Sequence, residues 1–289
     1  MVKFRRSGGG LSDNLEDRRG AGGGLSGISL SKGGGIVGII GVVIALLLSG
    51  GLGGGGGGTG VDVTDIFGQL QSPSGTVDPG DDELVQFMSD ALDDIQAFWS
   101  TDAGLGSAYR EANLVLFTDG VSTGGCGNAP SSVGPFYCPA DEQAYIDLSF
   151  FQELDDRFGA PGDFAQVYVL AHELGHHVQN VLGTSDQVRR GQQEDPGAAN
   201  ELSVRLELQA DCYAGVWGNS AQDRGLLEPG DVEEGLGAAA AVGDDRLGNP
   251  SEEAWTHGSA ESRQRWFTVG LESGRHQDCD TFQVPFDQL

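Results

Sequence analysis

Phe164-Ala-Gln-Val-Tyr-Val-Leu-Ala-His172-Glu173-Leu-Gly-His176-His-Val-Gln179 is the stretch that decides the reading of this chain. Its apolar residues recur at helical spacing, which predicts a helix over about 163–182. On a helix, residues four apart lie one above the other, so both imidazoles of His172 and His176 can reach one ion. Zinc takes imidazole nitrogen and, at catalytic sites, keeps one position open for water. Glu173, beside the first ligand, is placed to take the proton of that water. His177 points about 100° away from His176 on a 3.6-residue helix and is expected to pack or hydrogen-bond.

A catalytic zinc needs a third protein ligand. Arg205-Leu-Glu207-Leu-Gln-Ala-Asp211 follows in a second expected helix, about 201–222, with two carboxylates again four apart among apolar neighbours. Glu207 is the expected ligand, with Glu201 as its nearest rival. Asp211 is expected to accept a hydrogen bond from a ligand imidazole, most simply His172, and so fix its tautomer. A third element, Trp255-Thr-His257-Gly-Ser-Ala-Glu-Ser-Arg263, carries a histidine and an arginine six apart. His257 and Arg263 are the candidates for stabilising the oxyanion formed when a peptide carbonyl is attacked.

Farther out, residues 82–99 predict an amphipathic helix, 113–117 and 144–148 short strands, and 230–243 and 260–273 further helices. This order describes an α+β domain with a zincin-like, gluzincin-like core: a small sheet, an active-site helix and a glutamate helix. An extended substrate is expected along an edge strand near Ala144–Leu148. The four cysteines, Cys126, Cys138, Cys212 and Cys279, form no CxxC pair, and their even number suits two disulfides. Three pairings are open; Cys126–Cys138 with Cys212–Cys279 is the preferred one.

The N-terminal third differs in composition. Both lysines and Arg5, Arg6, Arg18 and Arg19 precede residue 33, whereas the net charge of the whole chain is −27. So negative a domain repels phosphate backbones and argues against nucleic acid as a partner. Residues 1–32 read as a basic, disordered, cytoplasmic tail. Residues 33–52, uncharged and strictly apolar from Ile36 to Leu48, read as a transmembrane helix. A cleaved signal segment is the alternative. Residues 53–80 read as a Gly-rich linker, and 81–289 as the zinc peptidase domain. Basic residues before the span and an acidic domain after it imply a single-pass membrane protein with the catalytic domain outside the cytoplasm, periplasmic or cell-surface.

Several stretches resemble the bacterial neutral zinc metallopeptidase family. They are Asp163-Phe-Ala-Gln, His172 to Gln179, Glu207-Leu-Gln-Ala-Asp-Cys-Tyr-Ala-Gly-Val-Trp-Gly218, Gly243-Asp-Asp-Arg-Leu247, Gly125-Cys-Gly, Gly134-Pro-Phe-Tyr-Cys-Pro-Ala-Asp141, Thr256-His-Gly with Arg263 and Trp266-Phe, and the opening Ser12-Asp-Asn-Leu-Glu-Asp-Arg-Arg19. The resemblance covers nearly the whole chain and implies a membrane-anchored peptidase with one Zn2+ per chain and a peptide or protein substrate. More distantly, HExxH, ExxxD and the His257–Arg263 pair are similar to membrane zinc peptidases of the CAAX-protease and HtpX type, whose His and Arg act on the substrate carbonyl. Gly258 stands where that group has proline. The expected activity is endopeptidase hydrolysis; the rival reading is a non-catalytic zinc-binding envelope chaperone or assembly factor on a peptidase fold, which would not need Glu173.

Overall fold

Asn113–Phe117 reads Asn-Leu-Val-Leu-Phe, without polar alternation, and the strand it forms is buried on both faces. In the computed structural model, which describes residues 2–4, 10–20, 79–102, 104–248 and 251–289, this strand (β2) lies inside a four-stranded sheet. β1 (Leu15–Asp17) and β6 (Gln143–Asp147) flank it, both parallel, with Leu114 opposite Leu15 on one side and Ala144 on the other. β5 (Phe136–Cys138) runs antiparallel to β6, giving the order β1-β2-β6-β5. A hairpin of β3 (Gly120–Ser122) and β4 (Asn128–Pro130) brings Val121 and Ala129 onto the face that carries Val115, Phe117, Phe136 and Tyr145. Leu114, Leu116, Ala144 and Ile146 belong to the main core with the helices.

Seven α-helices follow among the described residues: α1 (Pro79–Thr101), α2 (Ser149–Asp156), α3 (Asp163–Leu182), α4 (Thr184–Glu194), α5 (Ala199–Asp223), α6 (Asp231–Ala241) and α7 (Ala260–Ser273). The apolar stripe expected on 82–99 is found on α1, where Val85, Met88, Leu92, Ile95 and Trp99 are buried. α5 and α7 touch backbone to backbone. A Cβ on Gly270 would stand 1.9 Å from the Cys212 carbonyl oxygen, and one on Gly215 would stand 2.1 Å from that of Phe267. Only glycine at both positions allows this approach, which brings α7 against the carboxylate face of α5.

Both preferred disulfides are present. Cys126–Cys138 ties the end of β5 to the β3–β4 turn, and Cys212–Cys279 ties α5 to the C-terminal segment. That segment is further fixed by Gln209 Nε2 donating to the Cys279 carbonyl at 2.9 Å and by Arg205 donating to the carbonyls of Thr281 and Val284.

Two expectations are corrected. Residues 10–20 are not a disordered tail: β1 is a strand of the sheet, held by Leu114 N–H to the Asn14 carbonyl at 2.8 Å and Arg18 N–H to the Leu116 carbonyl at 2.8 Å. Backbone bonds hold it, so its Leu-Glu-Asp sequence carries no apolar signature. The folded body accordingly includes chain that precedes the Gly-rich region. β6 is not an edge, since β2 and β5 occupy both its sides; β5 is the outer strand. The expected transmembrane helix at 33–52 and most of the expected linker lie outside the described residues. Among those described, no helix is long and apolar enough to cross a membrane.

Candidate metal centre

The imidazoles of His172 and His176 lie one turn apart on α3, edge to face, with ring centroids 4.8 Å apart. Glu207 projects from α5 between them: its Oε2 lies 3.2 Å from His172 Nε2 and its Oε1 lies 3.3 Å from His176 Nε2. α3 and α5 reach this distance because residue 175, between the histidines, is glycine. A Cβ there would meet the Ala210 carbonyl oxygen at 2.9 Å.

The three ligand atoms lie within 4.8 Å of one another. Glu207 is completely buried, yet neither carboxylate oxygen accepts a hydrogen bond. A buried carboxylate without such bonds is costly unless a cation faces it. Two imidazole lone pairs and one carboxylate converging on a point form a His₂Glu donor set, and zinc is the ion that suits it. The residues therefore fit the metal that the motif implies.

The Nδ1 atoms explain why the Nε2 atoms are free to ligate. His172 Nδ1 donates to Asp211 at 2.8 Å, and His176 Nδ1 donates to Gln179 Oε1 at 2.8 Å. In the metal-binding form each Nδ1 keeps its proton, and the Nε2 lone pair then faces the site. Gln179 is held in turn, donating from Nε2 to the Leu206 carbonyl at 2.6 Å. Asp211 is a hub: Tyr168 donates its hydroxyl to Oδ1, and Arg263 grips both oxygens, Nε to Oδ2 at 2.8 Å and Nη2 to Oδ1 at 2.9 Å.

The electrostatics follow from this geometry. Burial alone would lower the His172 pKa, but Asp211 and Glu207 overturn it and raise it to about 10 in the metal-free chain. Burial opposes the charged forms of Glu207 and Asp211 as well. The two imidazoles nevertheless hold Glu207 well below the usual carboxylate range, and Arg263 and His172 hold Asp211 low. Glu173 moves the other way, because burial outweighs the attraction of the two imidazoles and raises its pKa.

Of the other candidates, Arg263 is placed differently from expectation. It is 1% exposed, bonded to Asp211, and donates to the Val242 carbonyl. Its guanidinium comes 3.9 Å from Glu207 Oε2, so it anchors the carboxylates behind the ligands and is not a free donor for a substrate oxyanion. His257 is fully buried, lies outside the ligand trio, and has its Nδ1 3.3 Å from Asp244 Oδ1. Asp244 Oδ2 also accepts the backbone N–H groups of Thr256, His257 and Gly258. His257 Nε2 is buried without a hydrogen-bond partner. Gly258 has φ 87°, a conformation closed to proline, whose ring holds φ near −65°. Glycine at this position thus follows from this loop's own path.

Glu201, the rival ligand, is exposed and pairs with Arg205 at 2.9 Å. His177 has the packing role expected of it. It accepts from the Tyr137 hydroxyl at 2.8 Å and donates to the Arg110 carbonyl at 2.7 Å, which pins β5 to α3. Sequence reasoning assigned no role to Gln179, Tyr168 or Asp244. Gln179 could have been found from its position three residues after His176, on the same helical face. A second acidic group, Asp163, Asp231 and Glu234, gathers at the start of α3 and receives backbone donors there, Val2 N–H on Asp163 and Phe164 N–H on Glu234.

Residues 4–282 match the family described as "Putative neutral zinc metallopeptidase". The chain is 44% identical to the uncharacterized protein YpfJ of Escherichia coli K12 over 287 residues, covering 94% of this chain and 96% of that one. It is 50% identical over 192 residues to the uncharacterized protein Rv2575 of Mycobacterium tuberculosis, covering 61% and 64% of the two chains. A Mycobacterium bovis protein, the uncharacterized Mb2605, is similar to the same degree. No solved structure matches the chain. With a match that spans nearly its full length and the His172, His176 and Glu207 trio assembled inside it, the chain belongs to the neutral zinc metallopeptidase family.

Proposed function

We propose that the protein is a zinc endopeptidase that hydrolyses internal peptide bonds by general-base catalysis from Glu173. The observation that carries this reading is the convergence of His172, His176 and Glu207, with Glu173 buried beside the first ligand on the same helix. Zinc bound there would supply Lewis acidity toward a water and a carbonyl oxygen. Glu173, its pKa raised by burial, takes a proton from the attacking water and passes it to the leaving amine. The substrate lies extended along the outer edge of β5, which Tyr137 and His177 hold against α3. His257 is the candidate donor to the carbonyl oxygen: its Nδ1 lies 3.3 Å from Asp244 Oδ1, and its buried Nε2 has no hydrogen-bond partner in the protein. The two disulfides favour an oxidising compartment outside the cytoplasm.

The test is Glu173→Gln in the full chain, assayed for zinc content and for cleavage of an unfolded protein such as casein. The expected outcome is one zinc per chain with cleavage reduced by about 10²–10⁴-fold, the range of a lost general base. Equal cleavage by parent and variant would overturn the assignment of Glu173.

A further inference from the structure

We infer that residues 10–20 and the metal centre lie on the same side of any bilayer that the apolar stretch Ile36–Leu48 meets, so this stretch does not make a single crossing between them. β1 is an integral strand, aligned with β2 over three residue pairs from Leu15–Leu114 to Asp17–Leu116. Its flanks are fixed independently: Ser12 N–H donates to Ser89 Oγ on α1 at 2.7 Å, and Asn14 Nδ2 donates to Glu111 at 2.6 Å. Residues 2–4 dock elsewhere on the same body. Lys3 N–H donates to the Leu226 carbonyl at 2.9 Å, its ammonium pairs with Glu228 at 2.7 Å, and Val2 is buried.

Arg19 lies 4.0 Å from Asp82, in the first turns of α1. The described chain on either side of residues 21–78 thus lies at two neighbouring points on one surface. A single crossing would put those two points on opposite sides of the membrane, pulling β1 out of the sheet and leaving buried Leu114 N–H and Leu116 C=O groups without partners.

Two crossings are excluded by length. Ile36–Leu48 is 13 residues, whereas each helical span needs about 20. The basic bias that suggests a cytoplasmic N-terminus is weaker than its count implies. Arg18 pairs with Glu16 at 2.7 Å and Arg19 with Asp17 at 2.8 Å, so neither acts as an unpaired positive charge.

Cysteine accessibility in cells making the full chain decides the matter, because all four native cysteines are in disulfides. Gly10→Cys and Arg190→Cys, both at exposed positions, are treated separately with a membrane-impermeant maleimide before and after permeabilisation. The expected result is the same labelled fraction for both, a ratio near one, whether both are open or both protected. One site open while the other is protected overturns the inference. Zinc content equal to the parent's serves as the folding check, and Asp13→Cys with Gly237→Cys is the replacement pair if either variant fails it.

Discussion

Asp211 holds His172 and Arg263 at once: Oδ1 lies 2.8 Å from the imidazole Nδ1 and 2.9 Å from the Arg263 Nη2, and Oδ2 takes the Arg263 Nε. All three groups are buried. One ligand's orientation is thereby tied to α7, a helix that supplies no ligand itself. Asp211→Asn should weaken zinc binding by ~10–100-fold, as loss of a carboxylate behind a ligand histidine does. It should also destabilise the fold by about 3–5 kcal/mol, because the buried Arg263 charge loses its partner. Chelator competition and urea denaturation of the zinc-loaded chain measure the two effects; an unchanged affinity would remove Asp211 from the site.

Glu207→Ala removes a ligand and not merely its support, so the loss of zinc should exceed that of Asp211→Asn. Elemental mass spectrometry of the purified full chain should find about one zinc in the parent and much less than one in the variant. A full equivalent in the variant would move the third ligand elsewhere.

Zinc uptake should release protons. In the metal-free chain His172 has a pKa of about 10, so at pH 7 it is an imidazolium and must lose a proton to ligate. Calorimetric titration at pH 7 in buffers of different ionisation enthalpy should show close to one proton released from this group. The same shift fixes the pH dependence of the metal-free fold. A raised folded-state pKa gives stability that is fully present below the ordinary 6.5 and lost as pH rises through about 10. Thermal denaturation of the metal-free chain should accordingly show Tm falling across that window.

Gly270→Ala puts a Cβ 1.9 Å from the Cys212 carbonyl and must push α7 off α5. A loss of about 1–3 kcal/mol is expected. Gly237→Ala is the matched control, since its Cβ meets nothing within 4 Å and alanine favours the helix. Equal stability of the two variants would show that the α5–α7 contact yields easily.

The helices bearing the ligands were legible because α3 and α5 are long and bury apolar residues at regular spacing, and because HExxH and ExxxD each place two groups on one face. α4 was missed: its Thr-Ser-Asp-Gln-Val-Arg-Arg-Gly-Gln-Gln-Glu buries only Ser185 and Val188, too little for a period to show. β5 hid inside a Gly/Cys/Pro stretch because three consecutive buried residues, Phe136 to Cys138, carry no alternation. The role of Arg263 was misread for a different reason. Spacing from His257 says that the two are near each other, but not that Asp211 claims the guanidinium first.

The addition of β1 to β2 also makes the protein divisible. A chain shortened to begin at Pro79 would keep every ligand but expose the Leu114–Leu116 rim as an open template for strand pairing, which invites self-association. A synthetic peptide of residues 10–20 supplies the missing rungs and should suppress that self-association. The two pieces would then behave as a split protein whose reassembly reports that they have met.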